Sequence, residues 1–427
     1  MALIDENSEY RMYSYECTEL SLLFGEENSR TTLQLKPYRL NSMTIMSDYI
    51  TNLFPVIKIE MVLEPSLYYE ILENKNTARI QIRIDKFYRK ISESEKSLMY
   101  SFMNSTFGFI LDDNESDVYE TAKRENNNLE LDNVYRDDSD DLYKTSNKVE
   151  FYLFNEDSVS PMEVTLNKVL RSARVQDAYA YIFNKIGIKK VLMGQMDNTK
   201  EYDFLFLPNL KAKQLIRFLD TYYGTWKDGM MAFCDYDRSY FMKMSAECTV
   251  YESGEVQDTC IIIPDISTSY SNNLCTVVRD DSSAVNYIVG DNKTISTRND
   301  SISNNYVNSS DVTVVNNITG ETSSSDSNVT TKNGSSKRVV VSNTENDWIS
   351  NIYEKMSSSN SRVVDVGLAD YDIDAVKPNK KFTLYFTNTK SGKKYKGNYF
   401  LGKATHYFLK DGSEFKLNSS ITLRVDN

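Results

Sequence analysis

The sequence predicts an α+β chain, predominantly antiparallel β, with its helices confined to the middle. Three observations carry this prediction. Apolar residues alternate with period two toward both ends, as in ARIQIRIDKFY and SSITLRV. The central stretch instead repeats apolar residues every three or four positions. Tyrosine and phenylalanine number 30 and 19 against 7 prolines, and aromatic side chains favour half-buried pleated surfaces.

Residues 1–155 form the first expected domain, a β-barrel with an acidic loop inserted at 112–148. PVIKIEMVL places Val56, Lys58, Glu60 and Val62 on one face and Ile57, Ile59, Met61 and Leu63 on the other. In ARIQIRIDKFY, Ile80, Ile82 and Ile84 point one way and Arg79, Gln81, Arg83 and Asp85 the other, the pattern of a half-buried antiparallel strand. Its expected partner is the preceding strand, reached through the ENKNTA turn region. The insertion, DDNESDVYETAKRENNNLELDNVYRDDSDD, is acidic, rich in Asn and poor in apolar residues, and reads as a solvated or disordered loop. Its carboxylates do not follow the spacing of a calcium loop.

Residues 156–246 form the expected α+β domain, entered through the strand KVEFYLF. TLNKVLRSARVQDAYAYIFNKI (165–186) reads as one amphipathic helix with Leu166, Val169, Leu170, Ala173, Ala178, Ile182 and Ile186 near one stripe, stopped by Gly187. KKVLMGQ follows as a short strand. A second helix begins near Pro208 and Asn209, buries Leu215, Ile216, Leu219 and Tyr222, and ends at Gly224. A turn at Trp226-Lys227-Asp228-Gly229 leads into the strand MMAFCDY and on to SYFMKM.

Residues 247–295 continue as a β segment through ECTVY and DTCIIIPD. Residues 296–362 are dominated by Ser, Asn, Thr and Asp and cannot bury enough apolar surface to offset their ordering entropy. Disorder is expected there, with a short helix at DWISNIYEKM (347–356). Residues 363–427 close the chain as an antiparallel meander, KFTLYF, YKGNYFLGKATHYFLK and SSITLRV, turned at SGKK and at Asp411-Gly412. Phe382, Leu384 and Phe386 share one face, and Ile421, Leu423 and Val425 alternate inward. The meander suits a small barrel that pairs with 247–295.

Composition narrows the chemistry. There are 49 Lys and Arg against 61 Asp and Glu, a formal net charge of −12. Such a chain is poorly suited to wrapping nucleic acid, which takes clustered cations. The start, MALIDENSEY, has neither a basic nor an apolar signal region, and no apolar run is long enough to span a membrane as a helix. The cysteines Cys17, Cys234, Cys248, Cys260 and Cys275 are odd in number and widely spaced, as expected of reduced thiols made in a cytosol. His406 is the single histidine, so Ser-His-Asp, zinc-histidine and HExxH chemistry all hinge on one residue.

Each candidate reactive group has a plainer reading. Asp235-Tyr236-Asp237 could hold Mg²⁺, but no glycine-rich phosphate loop precedes it, and a polar strand end suffices. Cys234 as a nucleophile needs a nearby base, and a buried strand cysteine does not. His406, beside Tyr407 and Phe408, fits a core or interface position. A carboxylate pair for glycoside cleavage is chemically available, but no spacing singles one out. Tyr222, Tyr223, Trp226, Phe233, Tyr236, Tyr240 and Phe241 could stack sugars or bases, although core and subunit contacts use the same residues. No catalytic, cofactor-binding or metal residue is therefore expected, and no cofactor.

The C-terminal pattern built on Tyr395, Gly397, Tyr399, His406, Phe408, Phe415, Leu417 and Leu423 resembles the hub proteins of phage contractile-tail baseplates, T-even type, which are related to the hub and spike proteins of contractile injection systems. PNLKAKQLIRFLDTYYGTWKDGMMAFCDYD resembles their helix–turn–strand segment. The two pieces cover about 150 residues. The resemblance implies two small tube-type β-barrel domains with the α+β domain between them. It implies a homotrimer whose six barrels match the six-fold tail tube on one side and carry the three-fold central spike on the other. Implied partners are tube and tube-initiator proteins and the spike, with the tape measure and baseplate wedge proteins as further contacts. No nucleic-acid specificity and no membrane span follow from it. The protein would sit in the virion tail baseplate, assembled in the host cytoplasm, without catalysis. A virion-associated glycan hydrolase and a receptor-binding tail module stay open as alternatives.

Overall fold

The computed structural model describes residues 11–26, 29–90, 95–110, 134–136, 145–188, 190–236, 238–247, 250–251, 258–263, 277–280, 285–289, 296–298, 312–316, 322–324, 338–342, 345–346, 348, 363–369, 371–388 and 393–425. The N-terminal block contributes strands β1 (Arg11–Phe24), β2 (Thr31–Leu35), β3 (Leu40–Asp48) and β4 (Val56–Leu63), then helix α1 (Pro65–Glu73). Strands β5 (Arg79–Lys90), β6 (Ser97–Phe109), β7 (Val134–Arg136) and β8 (Thr145–Asn155) follow. The alternation read in the sequence sets their faces. Ile57, Ile59, Met61 and Leu63 of β4 and Ile80, Ile82 and Ile84 of β5 are all fully buried.

The partner expected for β5 is different in the structure. Helix α1, begun by Pro65 at its first turn, carries the chain away from β4. As a result β5 lies between β1 and β6, while β4 pairs with β3 and β8. Of the acidic insertion, Val134–Arg136 forms β7 beside the start of β8; the rest of 112–144 lies outside the described residues.

The central unit begins with α2 (Glu156–Met162), capped by Asn155, whose side chain accepts from the Ser158 N–H at 3.2 Å. It continues with β9 (Thr165–Arg174), α3 (Val175–Ile186), β10 (Val191–Met193), β11 (Glu201–Lys211), α4 (Ala212–Tyr222), β12 (Met230–Cys234) and β13 (Ser239–Lys243). Both expected helices start later than the sequence reading places them. Residues 165–174 and 201–211 pair as an antiparallel ribbon instead. The spacing of Leu166, Val169, Leu170 and Ala173 serves a helix or a strand pair, and the FLFL alternation opposite decides for the strand. Each helix begins where a polar side chain takes up the first N–H. Asp177 accepts from the Arg174 N–H at 2.8 Å, and Gln214 accepts from the Lys211 N–H at 3.2 Å. Gly187 ends α3 at φ +76°. The turn at 226–229 closes with the Gly229 N–H donating to the Trp226 carbonyl.

The remaining strands are β14 (Asp258–Ile263), β15 (Val277–Asp280), β16 (Val285–Val289), β17 (Ser296–Arg298), β18 (Val312–Asn316), β19 (Thr322–Ser324) and β20 (Arg338–Ser342). Glu247, Val250 and Tyr251, expected in a strand, lie outside one. The Ser/Asn-rich segment, expected to stay disordered, is in part ordered. Its β-branched runs VTVV and RVVV form a small sheet in which β18 pairs with β19 and β20. The helix expected at 347–356 lies outside the described residues except for Trp348.

The chain closes with β21 (Val363–Ala369), β22 (Lys381–Asn388), β23 (Lys393–Asp411) and β24 (Glu414–Val425). The β22–β23–β24 meander is antiparallel. β23 also pairs with β3, and β24 meets β1. The ring β3-β4-β8-β6-β5-β1-β24-β23 therefore closes into an eight-stranded barrel. From β23 the sheet continues through β22, β14, β16 and β15, and from β24 through β21 and β17. The predominantly antiparallel α+β class stands, and two strands from the far end of the chain complete the barrel.

Gly224 shows how tightly the segments interlock. It ends α4 at φ +77°, and a Cβ there would lie 2.6 Å from Asn346 Oδ1. Asn346 comes from the Ser/Asn-rich segment and donates to the Asp220 carbonyl of α4 at 3.1 Å. Gly224→Ala is expected to lower unfolding stability by about 1–3 kcal/mol through combined strain and crowding. Denaturant titration checks this, and an unchanged midpoint would contradict the contact.

Candidate functional site

The densest polar constellation lies on the strap 371–380, which links β21 to β22. Tyr371, Ile373, Ala375 and Val376 are buried, so the strap runs inside the molecule. Lys86 of β5, 1% exposed, ion-pairs with Asp372 and, at 2.8 Å, with Asp374. Its ammonium also lies 4.9 Å from the Tyr13 ring and 5.1 Å from the Tyr100 ring, and the Tyr100 hydroxyl donates to Asp374. Burial alone would push the lysine pKa down, but the two carboxylates outweigh it and hold Lys86 charged. Burial pushes Asp374 up, and Lys86 with Lys377 overcomes this and holds it at about 2.

Other strap atoms reach every neighbouring unit. The Ile373 N–H donates to Tyr15 Oη at 3.0 Å, and Thr259 Oγ1 of β14 donates to the Ala375 carbonyl at 2.6 Å. Asn379 Nδ2 donates to the Val250 carbonyl at 3.3 Å. Lys377 Nζ lies 2.9 Å from Tyr236 Oη and 3.5 Å from Asp235 Oδ2, joining the strap to the central unit.

Tyr371 Oη, His406 Nδ1 and Ser419 Oγ form a triangle with sides of 2.8, 2.8 and 2.6 Å. A serine against a histidine suggests a nucleophile and its base, but all three residues are buried. Burial, aided by Lys377, pushes the imidazole down to about 3, so His406 is neutral. The triangle acts as a hydrogen-bonded lock between the strap, β23 and β24.

The other sequence candidates separate. Cys234 is fully buried on β12, with its N–H on the Leu53 carbonyl at 2.7 Å and its thiol pushed by burial up to about 12. Asp235 follows the strand end and faces Lys377; Asp237 lies outside the described residues. Tyr223, Trp226, Phe233, Tyr240 and Phe241 are core residues, and Tyr222 and Tyr236 are half-buried. Trp226 Nε1 donates to the Gln195 carbonyl at 2.8 Å. Among the described residues, no group of three His, Cys, Asp or Glu is arranged to hold a metal ion, and no helix is long and apolar enough to cross a membrane.

The sequence reading missed two features. One is the Lys86 cluster, whose partners lie 286 and 288 residues away. The other is the outer face of the β9–β11 ribbon, where Phe204, Phe206 and Val169 are 64%, 53% and 49% exposed. The alternation in FLFL carried that signal, because Leu205 and Leu207 are fully buried and their neighbours must face outward.

Over residues 12–425 the chain matches the family described as Bacteriophage PBS1 gene 109 protein. Curated proteins give no match. Among solved structures, a tail protein from Neisseria meningitidis MC58 is 11% identical, with 96% of this chain and 97% of that one covered at a TM-score of 0.51. The 43 kDa tail protein of prophage MuSo2 from Shewanella oneidensis is 9% identical, with 95% and 97% covered at 0.47. A chain of the phage P2 baseplate in its activated conformation is 10% identical, with 96% and 99% covered at 0.33. The first of these likenesses shows a tail-protein fold.

Lys86→Ala strands two carboxylates in the interior and is expected to cost about 3–5 kcal/mol in denaturant titration. Lys86→Met combined with Asp372→Asn and Asp374→Asn removes every charge of the triad and should recover most of that loss; an equally unstable triple variant would contradict the ionic account. His406 gives a pH signature. Its folded pKa lies below the unfolded value of about 6.5, so the unfolded chain takes up a proton that the folded chain refuses. Stability is therefore lost as pH falls from about 6.5 toward 3. Between pH 7 and about 4.5 the natural chain should lose about 2–3 kcal/mol more than His406→Gln. Parallel unfolding curves for the two proteins across that range would show that His406 titrates normally.

Proposed function

The chain belongs to the Bacteriophage PBS1 gene 109 protein family, and we propose that it is a structural hub of a phage tail baseplate. The observation that carries this reading is the closed eight-stranded barrel, joined through the long β23–β24 hairpin to a second β wing. In this reading the barrel is one tube-like unit. The wing, made of β14, β16, β21 and β22 with the upper parts of β23 and β24, is the other. Three copies then supply six units around an axis, matching a six-fold tail tube on one side and a three-fold spike on the other. The tube and its initiator, the spike, the tape measure and wedge proteins are the corresponding partners.

The chemistry supports a role without catalysis. The groups that would serve as nucleophile or base, Cys234, His406 and Ser419, are buried and committed to internal contacts. The carboxylates nearest to one another on the strap are held by Lys86 rather than set across a cleft, as glycoside cleavage requires.

Native mass spectrometry of the chain mixed with its cognate tube and spike proteins should show three copies per complex. A chain that stays monomeric beside both partners would sink the hub reading. Zymography on cell-wall material should show no clearing, and a cleared zone that copurifies with the chain would favour the hydrolase instead.

A further inference from the structure

The Lys86 cluster holds more groups than an ion pair needs. Lys86 Nζ touches Asp372 Oδ1 and, at 2.8 Å, Asp374 Oδ2. The two carboxylates have different surroundings. Asp372 Oδ1 also accepts the Asp374 N–H at 3.0 Å. A backbone donor therefore already sits on the oxygen where charge would gather if the Asp372 carboxyl carbon were attacked. Asp374 instead accepts the Tyr100 hydroxyl. Burial, with the neighbouring Asp374, pushes the Asp372 carboxyl upward against the pull of Lys86. Burial also pushes Asp374 up, but Lys86 and Lys377 hold it at about 2. One point in the interior thus gathers an amine, a carboxyl drawn toward its neutral form, an oxyanion donor and a second carboxylate.

The strap keeps these groups in place. Between the two aspartates the Ile373 N–H is fixed on Tyr15 Oη at 3.0 Å, and just beyond them the Ala375 carbonyl is fixed on Thr259 Oγ1 at 2.6 Å. The Tyr13 and Tyr100 rings lie 4.9 and 5.1 Å from the ammonium and wall it from water. Groups held in contact in this way react as if at an effective concentration on the order of 10⁵ M or more. In water an ammonium and a carboxylate stay apart as ions. Here both are buried, and joining them removes two desolvated charges.

We propose that Lys86 and Asp372 condense into an intramolecular amide, which ties β5 covalently to the strap. Lys86 is protonated before the reaction, so its nucleophilic form has to be made in place, and Asp374 is the proton acceptor within reach. Two of the three ammonium protons pass by way of Asp374 to Oδ2 of Asp372. Nζ bonds to the carboxyl carbon, the bond from that carbon to Oδ2 breaks, and Oδ2 leaves as water. The third proton stays on the amide nitrogen, and Oδ1 stays as the carbonyl oxygen on the Asp374 N–H. One positive and one negative charge disappear together, and no other reactant is consumed. The Asp374 side chain, 44% exposed, gives the water a way out and keeps Lys377 and Tyr100 as partners afterwards. The seated ion pair is the reactant, and the stability differences expected of the Lys86 variants belong to the chain before ligation.

Intact-mass spectrometry of the full chain tests this. The folded chain is incubated and then unfolded for measurement. Its mass should lie below that of the sequence by one water, and digestion should yield a branched peptide joining Lys86 to Asp372. A folded chain that keeps its full mass after prolonged incubation would overturn the proposal. So would a water loss confined to one unbranched peptide, the mark of a cyclic imide, or a branch placed on Asp374. Asp372→Asn changes the leaving group and should lose one ammonia in place of one water. Asp374→Asn and Lys86→Arg should keep their full masses, with melting curves confirming that they fold. A water loss in folded Lys86→Arg would contradict the assignment. If the variants fail to fold, the mass and the branched peptide of the natural chain decide alone. The measurement needs no tube or spike protein, so its outcome is separate from that of the hub reading.

Discussion

The ammonium of Lys86 meets two aspartates that arrive from 286 and 288 residues further along the chain, and much of the molecule is held in place by that meeting. The aspartates lie on the strap 371–380, whose other atoms bond to β1, β14, the turn after β12 and Val250. A buried ammonium without its carboxylates is costly, so only one seating of the strap satisfies it. Once the strap is seated, β21 and β22 are fixed on either side of it, and β23 and β24 are placed to meet β3 and β1. The buried triangle of Tyr371, His406 and Ser419 locks the same position from the other end. Closing the ring removes the open edges that would otherwise invite strands of other molecules.

Much of this was legible in the sequence where structure depends on near neighbours. Ile80, Ile82 and Ile84 announced a half-buried strand, Gly187 and Gly224 marked helix ends, and Ile421 and Leu423 took the inward face read for them. What depends on distant partners was not legible. Residues 165–174 satisfy a helical spacing and a strand equally well, and the choice is made by the strand that pairs with them. The partner of β5 is set by the path of α1 rather than by sequence order. VTVV and RVVV find one another across a polar segment whose average composition argues for disorder. The candidate site follows the same division. The burial of Cys234 and His406 fits strand positions visible in the sequence, whereas Lys86 is an ordinary strand lysine until Asp372 and Asp374 are placed beside it.

In the proposed hub the two units of each copy would have to move as one body. The two units share strands: β23 pairs with β22 at one end and with β3 at the other, while β24 lies beside it from Tyr399 to Asp411. The crossing point is Gly402, where a Cβ would lie 2.7 Å from Arg424 Nε. Barrel and wing therefore have a common pair of strands rather than a linker between them. In the proposed ring, that shared hairpin sets the angle between the two units of each copy, and hence the fit between three chains and a six-fold tube.

A cryo-electron microscopy reconstruction of the tail tip of a phage that carries this chain tests the account most directly. The account predicts three copies around the tail axis between tube and spike, with barrel and wing alternating around the ring. A chain located only on peripheral fibres, or missing from the mature tail, would contradict it.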